Sequence, residues 1–213
     1  MSRILIIFIL FVLALPFLIL FGFFHVASAG FEGMGVSPVW IPVLFIAMGV
    51  GSLVNIPLGK QKLVEVQENS FFGFIRRKKL KAQGMAINVG GAVVPVLLSL
   101  YLLTKTPLEP VLFAVMCMIV LCFLMARVIP GVGIALPLFA PPIFSVIAGL
   151  ILVPQNPAGA AFIAGTFGVL IGADLLHLGG AMRNGGVFSI GGAGVFDGIF
   201  LMGIFAAFLA GVL

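Results

Sequence analysis

The sequence contains very little charge. Of its 213 residues, only 8% are charged and 62% are hydrophobic, whereas a soluble domain carries about 25% charged residues. Too little polar surface is present to cover a soluble core, and the apolar segments do not alternate as the strands of a membrane β-barrel do. The sequence predicts an all-α, polytopic transmembrane helical bundle. No segment has the length and polarity of a separate soluble domain, so residues 1–213 are interpreted as one transmembrane domain.

Cysteine and cofactor motifs are equally scarce. Cys117 and Cys122 are the only cysteines, and five residues apart in one apolar segment they form neither a disulfide framework nor a metal site. The sequence has no motif for ATP, haem, flavin or metal, and no Lys-Ser/Thr pair follows its glycine-rich stretch to bind phosphate. We expect no cofactor and no metal. The net charge of +5 does not indicate nucleic-acid binding, because the cations follow the topology.

Seven apolar segments follow one another along the chain, each close to the 20 or so residues that a membrane-spanning helix needs. They cover residues 4–26, 39–58, 85–103, 111–129, 131–153, 160–178 and 189–213. The first ends in VASAG, which has the small residues of a signal-peptidase site, but its apolar run exceeds the 7–15 residues of a signal peptide. We expect a retained first helix, with cleavage as the alternative.

The cations orient these segments. Residues 60–84 are the one long polar stretch, with seven cations and two glutamates, and are predicted to be a basic cytoplasmic loop. Ten of the eleven cations then lie inside and only Lys105 lies outside, which makes the N-terminus cytoplasmic and places the C-terminus outside. Four adjacent cations of the loop are candidates for binding anionic lipid headgroups. These are Arg76, Arg77, Lys78 and Lys79.

The only two aspartates, Asp174 and Asp197, lie in apolar sequence. A carboxylate at membrane depth costs roughly 3 kcal/mol, so it is a functional candidate by default. The predicted topology runs the sixth segment inward and the seventh outward, which brings both carboxyls to similar depth on neighbouring antiparallel helices. Two carboxylates close together in a low-dielectric site do not both ionise easily. Such a pair suits acid–base work on a water molecule, proton-coupled transport or cation binding.

Other polar or helix-breaking residues are predicted near the same depth as candidates for substrate binding or support. They are Asn55, Asn88, Pro137, His177 and Gly194. His177 follows Asp174 by three residues on roughly the same helix face. Pro137 and two prolines just after it are expected to loosen the fifth segment, and glycines such as Gly194 permit irregular backbone around a cavity. The alternatives are helix-packing contacts, a kink and an interfacial histidine.

Five stretches carry a resemblance to a known family: SLVNIPL, INVGGAVVPVLLSLYLL, GVGIALPLFAPP, GTFGVLIGADLLHL and SIGGAGVFDGIFL. Together they resemble an uncharacterised family of bacterial and archaeal membrane proteins, known as a domain of unknown function, and the match covers most of the chain from about Gly51 onward. The resemblance implies a multi-pass protein of a prokaryotic plasma membrane, and it supplies no activity.

A second resemblance lies in GAGVFDGIFLMG, which is similar to the glycine–x–glycine–aspartate signature of presenilin-type intramembrane proteases. In that family one aspartate lies on an inward helix and the other on the next, outward helix, as expected here for Asp174 and Asp197. Ala135-Leu136-Pro137 is similar to a proline element of the family. Here two residues separate Gly194 from Asp197, alanine stands where tyrosine precedes the first aspartate, and the proline element precedes both aspartates.

Three functions remain open. An intramembrane aspartyl protease-like hydrolase would use Asp174 and Asp197 on a membrane-embedded peptide. A small proton- or cation-coupled transporter would bind its ion at the same acids and move a small solute. In a non-catalytic membrane scaffold the acids would only pair with Asn55, Asn88 or Arg183. The lipid bilayer is the expected partner, nucleic acid is not, and the many small residues are compatible with a homo-oligomer.

Overall fold

The structure is a computed structural model that describes residues 3–70, 75–129, 133–182, 186–192 and 205. The α-helices in these ranges are α1 (Arg3–Gly33), α2 (Ile41–Gly51), α3 (Val94–Leu103), α4 (Leu108–Met125), α5 (Ala140–Leu152), α6 (Pro157–Phe167) and α7 (Leu176–Met182). A 3₁₀ turn, Pro38–Trp40, precedes α2. A first π-helical segment, Val89–Val93, leads into α3, and a second, Gly168–Leu175, joins α6 to α7. The described chain is therefore mainly helical, as its composition predicts.

Three of the described helical stretches are long and apolar enough to cross a membrane: Phe8–Gly33, Leu108–Met125 and Pro157–Met182. At 1.5 Å per residue, the 18 residues of Leu108–Met125 span about 27 Å, close to the thickness of a hydrocarbon core. Shorter apolar helices cover Pro38–Gly51, Val89–Leu103 and Ala140–Leu152. These features indicate a membrane protein, while the seven spans and the orientation of the termini stay predictions.

Strands correct the all-α expectation. The described residues include β1 (Asn55–Ser70), β2 (Ile75–Asn88), β3 (Arg127–Ile129), β4 (Gly133–Ala135) and β5 (Gly186–Ile190). β1 and β2 form an antiparallel hairpin, and β5 pairs with β2 in parallel, so the strand order is β1-β2-β5. β3 and β4 form a separate two-stranded hairpin. The expectation of an all-α chain is therefore wrong, although helices remain the main elements.

The basic segment expected as a loop is the hairpin of β1 and β2. Its charges keep it out of a hydrocarbon helix, and strand pairing satisfies its backbone N–H and C=O groups. The strands pair from Asn55 with Asn88 to Ser70 with Ile75, with a register shift between Leu58 and Lys62. The hairpin also takes in sequence expected to be helical. Asn55 begins β1 and Asn88 ends β2, so the second and third helical segments are shorter than predicted.

The prolines of the fifth segment lie where a helix tolerates them. α5 begins at Ala140, so Pro141 and Pro142 occupy its first turn, where no intrahelical N–H bond is lost. Pro137 precedes the helix, in the connection from β4, and it is exposed. The expectation that these prolines loosen the helix is therefore wrong for α5.

The core is built around α4 and α6. Every residue from Ala158 to Thr166 is buried, and most of this stretch is alanine and glycine, which lets neighbouring helices approach closely. A Cβ atom added at Gly168 would lie 2.7 Å from the Met118 Cβ, and one added at Gly172 would lie 2.3 Å from the Ile119 carbonyl oxygen. The second π segment therefore packs directly against the backbone of α4.

Two buried hydroxyls give a prediction about stability. Ser99 Oγ and Thr166 Oγ1 are fully buried, and neither has a hydrogen-bond partner in the part of the chain that the structure describes. Replacing an unpaired buried hydroxyl by an apolar group of the same shape removes its desolvation cost. We expect Thr166→Val to raise the free energy of unfolding by about 1 kcal/mol, measured by thermal unfolding in detergent.

The matched control is Ser145→Ala. The Ser145 hydroxyl is equally buried but donates a hydrogen bond of 2.9 Å to the Pro142 carbonyl. Its removal is expected to leave stability unchanged or lower it. A loss of stability in Thr166→Val would mean that its hydroxyl has a partner after all.

Candidate functional site

Asp174 lies in the second π-helical segment, inside the candidate span Pro157–Met182. A π-helical turn is rare and often marks a functional position. The Asp174 side chain is half-buried, and its Oδ2 atom accepts a hydrogen bond of 2.7 Å from the backbone N–H of Gly191. The carboxylate is therefore held by the chain that follows β5.

Gly191 approaches Asp174 because of its backbone conformation and its lack of a side chain. Its φ angle is +68°, in the left-handed region that glycine adopts without strain. A Cβ atom there would lie 2.7 Å from the carbonyl group of Gly91 and 2.8 Å from the Ala92 Cβ. The turn after β5 therefore packs directly against the first π segment.

Asn88 connects the first π segment to α2 and β1. Its side chain is only 3% exposed, and its Oδ1 accepts a hydrogen bond of 2.7 Å from the Gly91 N–H, which caps the π segment. Its Nδ2 donates to the Ser52 carbonyl at 2.7 Å and to Asn55 Oδ1 at 3.1 Å. These three bonds fix the ends of three elements at one point.

Asn55 extends this network to β5. Its Oδ1 accepts hydrogen bonds from Asn88 Nδ2 and from the Ser189 hydroxyl. Ser189 lies two residues before Gly191, whose N–H binds Asp174. We call the whole group the Asp174 cluster. It comprises Ser52, Asn55, Asn88, Gly91, Asp174, Ser189 and Gly191.

β2 is also tied to the end of α7. Gln83 Nε2 donates a hydrogen bond of 2.6 Å to the Met182 carbonyl, and Gln83 is the register partner of Gly186 at the start of β5. Five register pairs join β2 and β5, ending at Ile87 and Ile190. The strand that carries the turn to Asp174 is thus attached along its length to β2.

His177 contacts the carbonyl groups of Asp174's own segment. Its Nδ1 lies 3.2 Å from the Gly172 oxygen and 3.1 Å from the Ala173 oxygen. Carbonyl oxygens only accept, so Nδ1 carries the hydrogen and donates it. The ring also packs against Phe123, with 4.9 Å between ring centroids. The histidine therefore contacts the carbonyl groups of the turn that contains Asp174.

The structure does not bring every predicted site residue to this cluster. Pro137 takes no part in the hydrogen bonds above and lies in the connection from β4 to α5. Asp197, Gly194 and Arg183 lie outside the described residues, so the pairing of the two aspartates stays a prediction. The four adjacent cations lie on β2: Arg76, Arg77, Lys78 and Lys79. Within the described ranges no group of three or more His, Cys, Asp or Glu side chains could hold a metal ion.

Sequence reasoning missed Ser52, Ser189 and the two glycines of the cluster. A signal was present for Gly91, because Asn88 is a preferred N-cap residue whose side chain accepts from a backbone N–H two or three residues later. Ser189 and Gly191 gave no such signal. Their place depends on the parallel pairing of β5 with β2, which joins residues about 100 positions apart.

Comparisons with known proteins give one match. The family model described as "Protein of unknown function (DUF1614)" matches residues 49–209, which include the whole Asp174 cluster. No curated protein and no solved structure matches the chain. The expected resemblance to an uncharacterised family is confirmed, whereas the likeness to presenilin-type proteases gains no support.

Proposed function

Because the chain belongs to the DUF1614 family, whose description names no activity, we propose from the chemistry of the site that it is an intramembrane aspartyl protease-like hydrolase. Asp174 would act with Asp197 on a water molecule and a membrane-embedded peptide. The observation that carries the proposal is the 2.7 Å hydrogen bond from the Gly191 N–H to Asp174 Oδ2. It joins a carboxylate in a candidate span to the end of an edge strand.

The chemistry of a carboxyl pair suits hydrolysis. The Gly191 N–H holds the Asp174 carboxylate in a fixed orientation, and a positioned carboxylate can act as a general base on a water molecule. Asp197 would supply the proton for the leaving group, as in other two-carboxyl sites. Gly191 precedes Asp197 by only six residues in the sequence. The contact to Asp174 is thus made by the chain that leads into the second acidic segment.

The outer edge of β5 suits the binding of an extended peptide substrate. β5 pairs with β2 on one side, and no strand among the described residues pairs with its other side. A peptide can add to such an edge through main-chain hydrogen bonds. A strand added beside β5 would pass close to the turn that holds Asp174. Since Asp174 is inside a candidate span, the substrate class would be a membrane-embedded segment.

The setting completes the proposal. We also propose seven spans in the plasma membrane of a prokaryote, with the N-terminus cytoplasmic and the C-terminus outside. The apolar segments, the charge asymmetry and the family resemblance support this setting. The half-buried state of Asp174 supports access of water from one membrane face. In this orientation the face is cytoplasmic.

The test is cleavage of a reporter membrane peptide by the full chain in liposomes. Asp197→Asn is expected to lower the rate by at least about a hundredfold, because removing a general acid or base costs 10²–10⁴. Glu109→Gln, the same type of change at an exposed acid in the first turn of α4, is the matched control and is expected to cleave normally. Unchanged cleavage in Asp197→Asn would exclude the hydrolase.

A proton- or cation-coupled transporter is the second candidate. It is favoured by the two π-helical interruptions and by the side-chain oxygens of Asn55, Asn88 and Asp174 near them, since irregular helices at membrane depth often bind ions. Solute flux driven by a pH gradient in the same liposomes, without peptide cleavage, would assign this function instead. If neither readout changes when both aspartates are replaced by asparagine, the protein is a scaffold.

A further inference from the structure

The net charge of the protein is concentrated in the hairpin of β1 and β2. Residues 60–84 carry seven cations and two glutamates, a net charge of +5 that equals that of the whole chain. Beyond the register shift that follows Leu58, the strands pair from Lys62 with Gln83 to Ser70 with Ile75. At about 3.4 Å per residue this part is roughly 30 Å long. We call residues 62–70 and 75–83 the basic ribbon.

The register divides the charges of the ribbon between two unequal faces. Successive residues of a strand alternate between faces, and register partners share a face. The Arg77 face comprises Lys62, Val64, Val66, Glu68, Ser70, Ile75, Arg77, Lys79, Lys81 and Gln83. The Arg76 face comprises Leu63, Glu65, Gln67, Asn69, Arg76, Lys78, Leu80 and Ala82. Four cations and one glutamate give the first face a charge of +3, whereas two cations and one glutamate give the second +1.

The base of the ribbon is attached to the Asp174 cluster. Gln83 pairs with Gly186 and donates its Nε2–H to the Met182 carbonyl. β5 then continues to Gly191, whose N–H binds Asp174. The ribbon is therefore linked to the carboxylate through one pair of strands and one hydrogen bond.

We propose that the Arg77 face docks on the anionic phospholipid headgroups of the membrane that contains the helices, and that this docking fixes β5 beside Asp174. Each Lys or Arg near an anionic surface strengthens binding about fivefold, so the face with four cations binds far better than the face with two. Valines between the cations suit the apolar side of the interface. The hairpin that carries the ribbon begins at Asn55, shortly after α2, and ends at Asn88, directly before the first π segment, so headgroups of its own membrane are within reach.

The first readout is the distance of the ribbon from the bilayer. The exposed Cys117 is replaced by serine, whereas the buried Cys122 is kept. A fluorophore is attached to the new thiol of Ser70→Cys, at the end of β1. The full chain is placed in phosphatidylcholine bilayers with and without phosphatidylglycerol, each with a headgroup quencher. We expect strong quenching only with phosphatidylglycerol, lost at high salt because exposed charges are then screened.

Two variants of equal charge separate the faces. R77Q/K79Q removes two cations of the Arg77 face and is expected to weaken the binding to phosphatidylglycerol bilayers about 25-fold, two factors of five. R76Q/K78Q removes two cations of the Arg76 face and is expected to change it less than about threefold. Equal effects of the two variants would overturn the face assignment, and equal quenching in both bilayers would overturn the proposal.

The second readout is the accessibility of β5 to a water-soluble reagent. Val187 on this strand is 49% exposed, so Val187→Cys offers a thiol for a water-soluble maleimide. In the Cys117→Ser background the reaction rate is expected to differ at least about twofold between the two bilayers, and R77Q/K79Q is expected to remove that difference. An unchanged rate would overturn the coupling to Asp174. Loss of quenching on addition of RNA would assign the ribbon to nucleic acid instead. Neither readout requires hydrolysis, so failure here is distinct from failure of the proposed function.

Discussion

Asp174→Asn is expected to abolish hydrolysis of a membrane peptide while the protein keeps its fold. The asparagine side chain has nearly the same shape, and its Oδ1 still accepts the hydrogen bond that Gly191 donates to Asp174 at 2.7 Å. It cannot take a proton from water, so the rate is expected to fall by at least about a hundredfold. Cleavage of a reporter peptide in liposomes measures this, and thermal unfolding in detergent checks the fold.

The control for Asp174→Asn is Glu32→Gln, which makes the same chemical change at an exposed acid near the end of α1. It is expected to cleave at the parent rate. Asp174→Glu is informative too, because it keeps the charge but moves the carboxylate away from Gly191 by a methylene group. Normal cleavage by Asp174→Asn would show that the carboxylate is not the reacting group.

Gly90→Ala is expected to destabilise the protein severely, because the added methyl group has no space. A Cβ atom at Gly90 would lie 2.1 Å from the Met48 carbonyl oxygen and 2.3 Å from the Ser52 nitrogen. Both are backbone atoms at the end of α2, so no side chain can move aside. We expect a loss of about 3 kcal/mol or more, at the upper end for overpacked sites, seen as a lower unfolding temperature or as lost expression.

The matched control for Gly90→Ala is Gly49→Ala, at a glycine near the same end of α2 but with no atom within 4 Å of the added Cβ. Because Gly49 lies within α2, the change is expected to stabilise by about 0.5–1 kcal/mol, the difference in helix propensity. Equal losses in the two variants would mean that α2 and the first π segment are not in contact.

Part of this architecture follows directly from the residue pattern. Continuous apolar segments with so few charges predict membrane helices, and Leu108–Met125 agrees closely with its predicted segment. Depth alone predicts the convergence of Asn55 and Asn88, and the structure joins them by a hydrogen bond of 3.1 Å. Their supporting role at the site stays a prediction. That Asp174 and Asp197 face each other also stays a prediction, since Asp197 is outside the described residues.

The rest of the structure depends on contacts between segments that are distant in the sequence, and local residue patterns do not indicate these contacts. Apolar residues around Asn55 suit a helix and a strand equally, and only pairing with β2 decides between them. In the second π segment, which contains Asp174, Gly168 and Gly172 pack on the backbone of α4. That contact is a property of two distant segments. The expectation for the prolines of α5 is wrong because the start of the helix, and not their number, decides their effect.

The parallel pairing of β2 with β5 has a consequence for biosynthesis. Gln83 and Gly186 are register partners, so about half of the polypeptide is synthesised between the emergence of one strand and that of the other. Long-range parallel pairing forms late, because the intervening loop must close first. The hydrogen bond that orders Asp174 therefore cannot form while the earlier helices are being inserted by the translocon. The contact between Gly191 and Asp174 therefore forms only after β5 has been synthesised.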